Sequence, residues 1–269
     1  MTTGDWSSAR AAGGTPAQRK SVAGSSKCAL MLHSISEPTT KEEAAYYIAP
    51  RRFHRLMRWF RATGYRTLTT AEWLQDLIPA KRVLLSFDDA YDDLYTELFP
   101  LVIQHHYTPV IYLVADRIGA SNVWDQKPGL RTRNLLTLEQ IREMQKYGVE
   151  FGSHSLTHPL LPGLLDAQLR REVSDSKRRL EDLLGAEVKS FAYPYGGVDG
   201  RVRAAVAEAG YQLAFTAIPG TNWWNDPLCQ RRAEVNEFTG LADFLFELRS
   251  GRTIRQALGA YRRGFGKRT

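Results

Sequence analysis

Cysteine is nearly absent: the 269 residues hold two thiols, Cys28 and Cys229. Two are too few for a disulfide framework or a thiolate metal cluster. Both lie in apolar, strand-like stretches, so the expectation is two buried free thiols. No apolar run is long enough to span a bilayer. Residues 1–27 are rich in Gly, Ala, Ser and Thr and lack the apolar centre of a secretory signal, so they are expected to be a disordered leader on a cytoplasmic protein. Acidic residues are missing from one stretch, 249–269, which carries Arg249, Arg252, Arg255, Arg262, Arg263, Lys267 and Arg268. Subtracting those seven from the 36 lysines and arginines leaves 29, equal to the 29 acidic residues. The net charge of +7 is therefore expected in the tail, with a neutral body that argues against a nucleic-acid binder. Such a tail is either solvated or in peripheral contact with anionic headgroups at the inner face of a membrane.

What the chain does have is the composition of an ordinary globular protein, 43% hydrophobic and 24% charged, with length enough for one good-sized core. Strand-like segments run from Cys28 to Leu32, Val83 to Phe87, Val110 to Val114, Val149 to Ser153, Ser190 to Tyr193, Leu213 to Ala217 and Leu228 to Val235. Helical segments alternate with them. Pro50 opens a helix with apolar positions at Phe53, Leu56, Met57 and Phe60, stopped by Gly64. Thr69 and Glu72 form a capping box for a helix through Leu77, and Thr137 and Gln140 cap another that ends at Gly148. Asp166 to Leu184 is a long amphipathic helix, and Val202 to Ala209 a shorter one. This alternation, with no linker-like break after residue 28, predicts one parallel α/β domain, either a closed barrel or an open doubly wound sheet.

The residues with chemical potential follow the predicted strands: His33, Asp88, Asp89, His154, His158 and the turn from Tyr193 to Gly197. In a barrel the loops at the carboxyl ends of the strands share one face. Two imidazoles four residues apart on a tight loop, with Pro159 disfavouring helix, fit one metal ion, and one carboxylate of the adjacent pair is then free to act as a base. Each signal alone has a bland alternative. Asp88 and Asp89, with Asp92 and Asp93, suit helix capping, and His33 alone is a single strand-end histidine. Trp124, Tyr193 and the adjacent pair Trp223-Trp224 are sugar-stacking candidates or ordinary core and rim aromatics.

Taken together, Ser86-Phe87-Asp88-Asp89, His154-Ser155-Leu156-Thr157-His158 and Phe191-Ala192-Tyr193-Pro194-Tyr195-Gly196 resemble the successive motifs of the polysaccharide deacetylases (carbohydrate esterase family 4, the NodB-type homology domain). The resemblance runs from about Cys28 to Val235 in the family's order. It implies a distorted (β/α) barrel that removes acetyl groups from N-acetylated amino sugars. On that resemblance Asp89, His154 and His158 bind one divalent metal, Zn2+ in most members with Co2+ or Ni2+ as alternatives. Asp88 is then the general base and the Tyr195 backbone N–H an oxyanion donor. The family's usual C-terminal histidine is missing. In the circularly permuted poly-N-acetylglucosamine deacetylase branch the equivalent strand comes first, and Leu30-Met31-Leu32-His33 fits it, which makes His33 the general acid.

Two departures stand out. Asp-Asp-Gly is Asp-Asp-Ala, with Ala90, and the arginine that usually tethers the base is replaced by Ala192. A later arginine, Arg232 or Arg231, is the candidate substitute. The expected division is a leader at 1–27, a catalytic domain at 28–248 and a basic tail at 249–269. An N-acetylated glycan, free or lipid-linked, is the expected substrate. A cyclic imide or ureide, an O-acetyl ester, and a non-catalytic sugar-binding role are the alternatives.

Overall fold

The computed structural model describes residues 28–75, 81–217 and 226–250. Leu77, Trp223, Trp224, the leader and the tail beyond residue 250 lie outside them. Nine strands are found among the described residues: β1 (Ala29–Leu32), β2 (Arg66–Thr67), β3 (Arg82–Phe87), β4 (Val110–Leu113), β5 (Glu150–Ser153), β6 (Ser190–Ala192), β7 (Leu213–Thr216), β8 (Gln230–Arg231) and β9 (Ala233–Glu234). All their pairings are parallel, in the order β8-β7-β6-β5-β4-β3-β1-β9, with β2 alongside the start of β3. The sheet is nearly closed into a barrel.

The closing element is the expected last strand, which is divided in two. β8 pairs with β7 at one edge and β9 pairs with β1 at the other, so the five residues from Gln230 to Glu234 bridge the seam. Arg232, the residue between the two halves, belongs to neither ladder.

Period-two alternation sorts the strand side chains into two layers. Leu84, Val110, Tyr112, Ala192, Leu213 and Phe215 cluster together on the inner side. Their neighbours Leu85, Phe87, Ile111, Leu113, Phe191 and Ala214 join the helices in the outer core. Both cysteines are buried and free. The helix Pro50–Thr63 begins at Pro50 and ends at Gly64 in the left-handed conformation, as its sequence predicts, and buries Phe53, Met57 and Phe60. Thr137 and Gln140 form their capping box. The box of Thr69 and Glu72 caps only a single turn, Thr70–Trp73.

Two helices differ from the regular α-helices expected. The stretch after Asp89 begins with a π-helical turn, Leu94–Leu98, and the long helix from Asp166 is interrupted by another, Arg171–Asp175. Such turns insert a residue into the i to i−4 ladder and rotate the side chains that follow. No helix among the described residues is long and apolar enough to cross a membrane.

Gly152, at the third position of β5, faces the barrel interior, where Tyr112 fills the space a side chain would need. A Cβ at Gly152 would stand 2.6 Å from Ser190 Oγ and closer still to the Tyr112 ring. Gly152→Ala is therefore expected to destabilise the protein by about 1–3 kcal/mol through overpacking, measurable as a lowered urea midpoint at unchanged m-value.

Candidate active site

At the carboxyl ends of β3 and β5 the two motif segments meet. Asp88 and Asp89 leave β3 and His154 to His158 leave β5, and all four candidate side chains are buried. One ligand atom each of Asp89, His154 and His158 lies within 4.8 Å of the other two. Asp89 Oδ1 is 3.6 Å from His154 Nε2 and 3.3 Å from His158 Nε2, yet it finds no well-aligned hydrogen-bond donor. The His154 Nδ1 faces the Ala192 carbonyl oxygen at 2.7 Å, which makes it the N–H donor and leaves the Nε2 lone pair pointing at the cluster. Burial pulls the His154 pKa down to about 4, against the partial opposition of Asp88, so the ring is neutral at pH 7. A buried carboxylate oxygen and the Nε2 atoms of two buried imidazoles make a donor set that fits a divalent cation.

Asp88 is held differently. Arg232 reaches into the barrel and donates from Nη1 to Asp88 Oδ1 and from Nη2 to Asp88 Oδ2, both at 2.6 Å, a two-pronged fork. Its Nη1 also donates to Ser86 Oγ at 3.0 Å, and its guanidinium lies over the rings of Tyr112 (5.4 Å) and Phe215 (5.7 Å). Burial works to raise the Asp88 pKa, but the charges of Arg232 and His154 and the fork itself outweigh it and hold the carboxyl below the usual range. Asp89 is lowered too. Burial opposes this, and contact with His158 and the charge of His154 prevail. At position 192, where the family's arginine is replaced by alanine, the backbone carbonyl serves His154, and the tether of Asp88 comes from Arg232.

The backbone around the cluster is strained in a consistent way. Asp89, Ala90, Ser155, His158 and Tyr195 all have positive φ, between 56° and 71°. The left-handed conformation costs a non-glycine residue about 1–2 kcal/mol. Ala90, at φ 59°, therefore explains in conformational terms why glycine would suit that position.

Three supports escaped sequence reasoning. Glu172, on the π-helical turn Arg171–Asp175, is buried beneath the histidine loop. It accepts the Leu156 N–H (3.0 Å), the Thr157 N–H (2.9 Å) and the Thr157 hydroxyl (2.6 Å). The signal was there: Leu169, Val173, Ser176 and Leu180 mark the buried face of that helix, and a carboxylate beside Val173 on that face needs partners. One face of the half-buried Trp124 ring stacks on His158 (4.7 Å, 24°), so this residue packs against the candidate ligand itself. Asp93 does not cap the following helix. It accepts a hydrogen bond from Ser34 and pairs with Arg133 at 3.0 Å, and Arg133 also bonds to Ser34 and Ser36, tying the loop after β1 to the stretch after β3.

The remaining predicted residues are placed as follows. His33 sits half-buried after β1, edge-on to Tyr46 (5.4 Å), near enough for its charge to act on Asp88 and Asp89. Tyr195 lies in a tight turn, Pro194–Gly196, with its exposed ring against His158 (4.7 Å). Tyr193 is a correction: it is buried, its hydroxyl donates to the Leu228 carbonyl (2.8 Å), and its ring offers no surface to a sugar. Arg231 lies in β8, outside the Asp88 fork.

Fold and site together define a parallel β/α barrel with an aspartate–histidine–histidine cluster, able to hold a metal ion, at its carboxyl-end mouth. The sequence profile of the polysaccharide deacetylases matches residues 78–214. The chain is 30% identical over 196 residues to Bacillus subtilis YxkH, provisionally named a polysaccharide deacetylase, covering 71% of this chain and 64% of that one. It is 26% identical over 190 residues to the poly-β-1,6-N-acetyl-D-glucosamine N-deacetylase of Staphylococcus epidermidis, covering 66% and 63%. The chain thus spans slightly under two thirds of the length of these relatives. Among solved structures, the Streptococcus pyogenes deacetylase PplD in complex with acetate superposes with a TM-score of 0.68 at 23% identity, covering 82% of this chain and 97% of that one. IcaB from Ammonifex degensii does so at 0.66 and 21%, covering 85% and 97%. The chain belongs to the polysaccharide deacetylase family.

Two outcomes follow for the metal-free protein. Arg232→Met leaves Asp88 buried without its countercharge and should cost about 3–5 kcal/mol at pH 7. In the wild type the depressed Asp88 pKa contributes stability above the unfolded carboxyl pKa, and that stability is lost as pH falls through the lower folded value. In the variant the charge and fork that outweighed burial are lost and that pKa rises, so the deficit should shrink on going from pH 7 to pH 4. Urea unfolding at the two pH values reads this directly, and an equal deficit at both would remove the ion pair as its cause. Glu172→Ala should weaken divalent-metal affinity about 10- to 100-fold, measured by equilibrium dialysis, because the loop that carries both histidines loses three anchors.

Proposed function

We propose that the protein is a metal-dependent carbohydrate N-deacetylase that removes the acetyl group from an N-acetylated amino sugar in a polysaccharide, oligosaccharide or lipid-linked glycan. The observation that carries this reading is the division of labour between adjacent carboxylates: Asp89 faces two imidazoles, while Asp88 is gripped by Arg232. A divalent ion held by Asp89, His154 and His158, most suitably zinc, would polarise the acetyl carbonyl and acidify water at the site.

The protein's own groups then do the following. Asp88, kept ionised, accepts the proton of the attacking water, and Arg232 fixes the direction of its oxygens. The Tyr195 backbone N–H donates to the developing oxyanion. An amide nitrogen leaves poorly unless protonated, so His33 is assigned the delivery of a proton to it. The names of the staphylococcal relatives support an N-acetylglucosamine polymer as the substrate class. On this reading residues 28–248 are the catalytic domain.

Acetate release from N-acetylglucosamine oligomers, acetylated xylan and a cyclic imide, each with defined added metal, tests the proposal. Release from the oligomers, abolished by chelation and restored by zinc, is expected. A protein that binds metal and sugar but releases no acetate would be a non-catalytic relative. Asp88→Asn and His33→Gln should each lower kcat by about two to four orders of magnitude with metal content unchanged. Near-normal turnover in either variant would remove the role assigned to that residue.

A further inference from the structure

The neutral body conceals a local imbalance. The helix Pro50–Thr63 holds five arginines, Arg51, Arg52, Arg55, Arg58 and Arg61, and no acidic residue. Its buried side is Phe53, Met57 and Phe60. Arg51, Arg55 and Arg58 repeat the same steps two positions earlier and so stand on the opposite side, where they and Arg61 are exposed. Among the described residues only Arg52 is seen neutralised, by Glu237 (3.1 Å) with a second hydrogen bond to the Thr239 carbonyl (2.7 Å). Among the described residues no carboxylate pairs with Arg51, Arg55 or Arg58.

Folding does not account for this arrangement. Like charges at helical spacing repel each other, and Arg51 and Arg52 in the first turn oppose the helix dipole. Beside the arginines opens an apolar cavity of about 430 Å3, lined by Leu56, Trp59, Val235 and Phe244 together with Arg52 and Arg55. The helix Leu241–Ser250 packs its Phe244 ring against Trp59 (5.7 Å) and Phe60 (5.6 Å).

We propose that the arginine face of helix Pro50–Thr63, with the apolar cavity beside it, docks the protein on an anionic lipid bilayer. Phosphate headgroups neutralise Arg51, Arg55 and Arg58, and the cavity takes an apolar portion of a lipid. A soluble polyanion satisfies the charges but makes no use of the cavity; an anionic phospholipid satisfies both. The inference is independent of the catalytic reading, since vesicle binding needs no turnover.

Co-sedimentation of the full chain with phosphatidylcholine vesicles and with mixed phosphatidylcholine–phosphatidylglycerol vesicles tests it. The wild type should partition to the mixed vesicles only, with binding that weakens as salt rises and survives excess inorganic phosphate. The triple variant Arg51→Gln, Arg55→Gln, Arg58→Gln should bind on the order of 100-fold more weakly. Its thermal midpoint should be unchanged or raised, because repulsion is relieved. A second variant with Arg252, Arg255, Arg262 and Arg263 changed to Gln separates the tail from the helix. If the triple variant binds like wild type, or only the tail variant loses binding, the helix is not the docking face. Failure of the wild type to bind, equal binding to neutral vesicles, or equally tight binding to a short DNA duplex would each overturn the lipid assignment.

Discussion

The fork between Arg232 and Asp88 is the interaction on which the rest of the site depends. A carboxylate at the end of a buried strand is costly to desolvate, and two adjacent ones more so. Arg232 removes that cost for one of them and comes from the segment that closes the barrel. Its backbone spans the seam between β7 and β1 while its side chain crosses the interior to the end of β3. Barrel closure and orientation of the candidate base are therefore the same structural event.

A second constraint is backbone conformation. Five non-glycine residues in the left-handed region surround the ligand set, and a π-helical turn follows Asp89 while another carries Glu172. These departures turn the Asp89, His158 and Tyr195 side chains and backbone groups toward one point. Hydrogen bonds hold them there: the histidine loop donates to Glu172 beneath it, the His158 N–H donates to the Ser155 hydroxyl oxygen, and His154 donates to the Ala192 carbonyl. Among the described residues no hydrogen-bond partner reaches His158 Nδ1, and its ring packs between those of Trp124 and Tyr195. Strain concentrated where geometry matters, with stable packing elsewhere, is the expected pattern of a functional site.

Charge shows how far composition can mislead. Balancing acidic and basic residues over the body correctly removes any overall field, but it averages away the helix Pro50–Thr63. Arginines at 51, 55 and 58 are visible in the sequence. Their significance needs the buried face of that helix to be known, because only then do they become one solvent-facing row.

The sequence by itself determined the βα alternation, the caps at Thr137 and Gly64, and the candidate residues at strand ends, because these follow from local periodicity and short-range capping. It could name Arg232 only alongside Arg231, since which of two neighbours points inward depends on where the closing strand breaks. It offered Tyr193 both as a sugar-stacking candidate and as a core aromatic and missed Glu172, because burial of a tyrosine or a carboxylate is decided by contacts many residues away. The alternation alone left open a closed barrel or an open sheet, the family resemblance implied a distorted barrel, and the tertiary structure realises that barrel through one short segment pairing with both edges. The convergence of Asp89, His154 and His158 follows from that closure, since only the curvature of the sheet brings the ends of β3 and β5 to bear on a common centre.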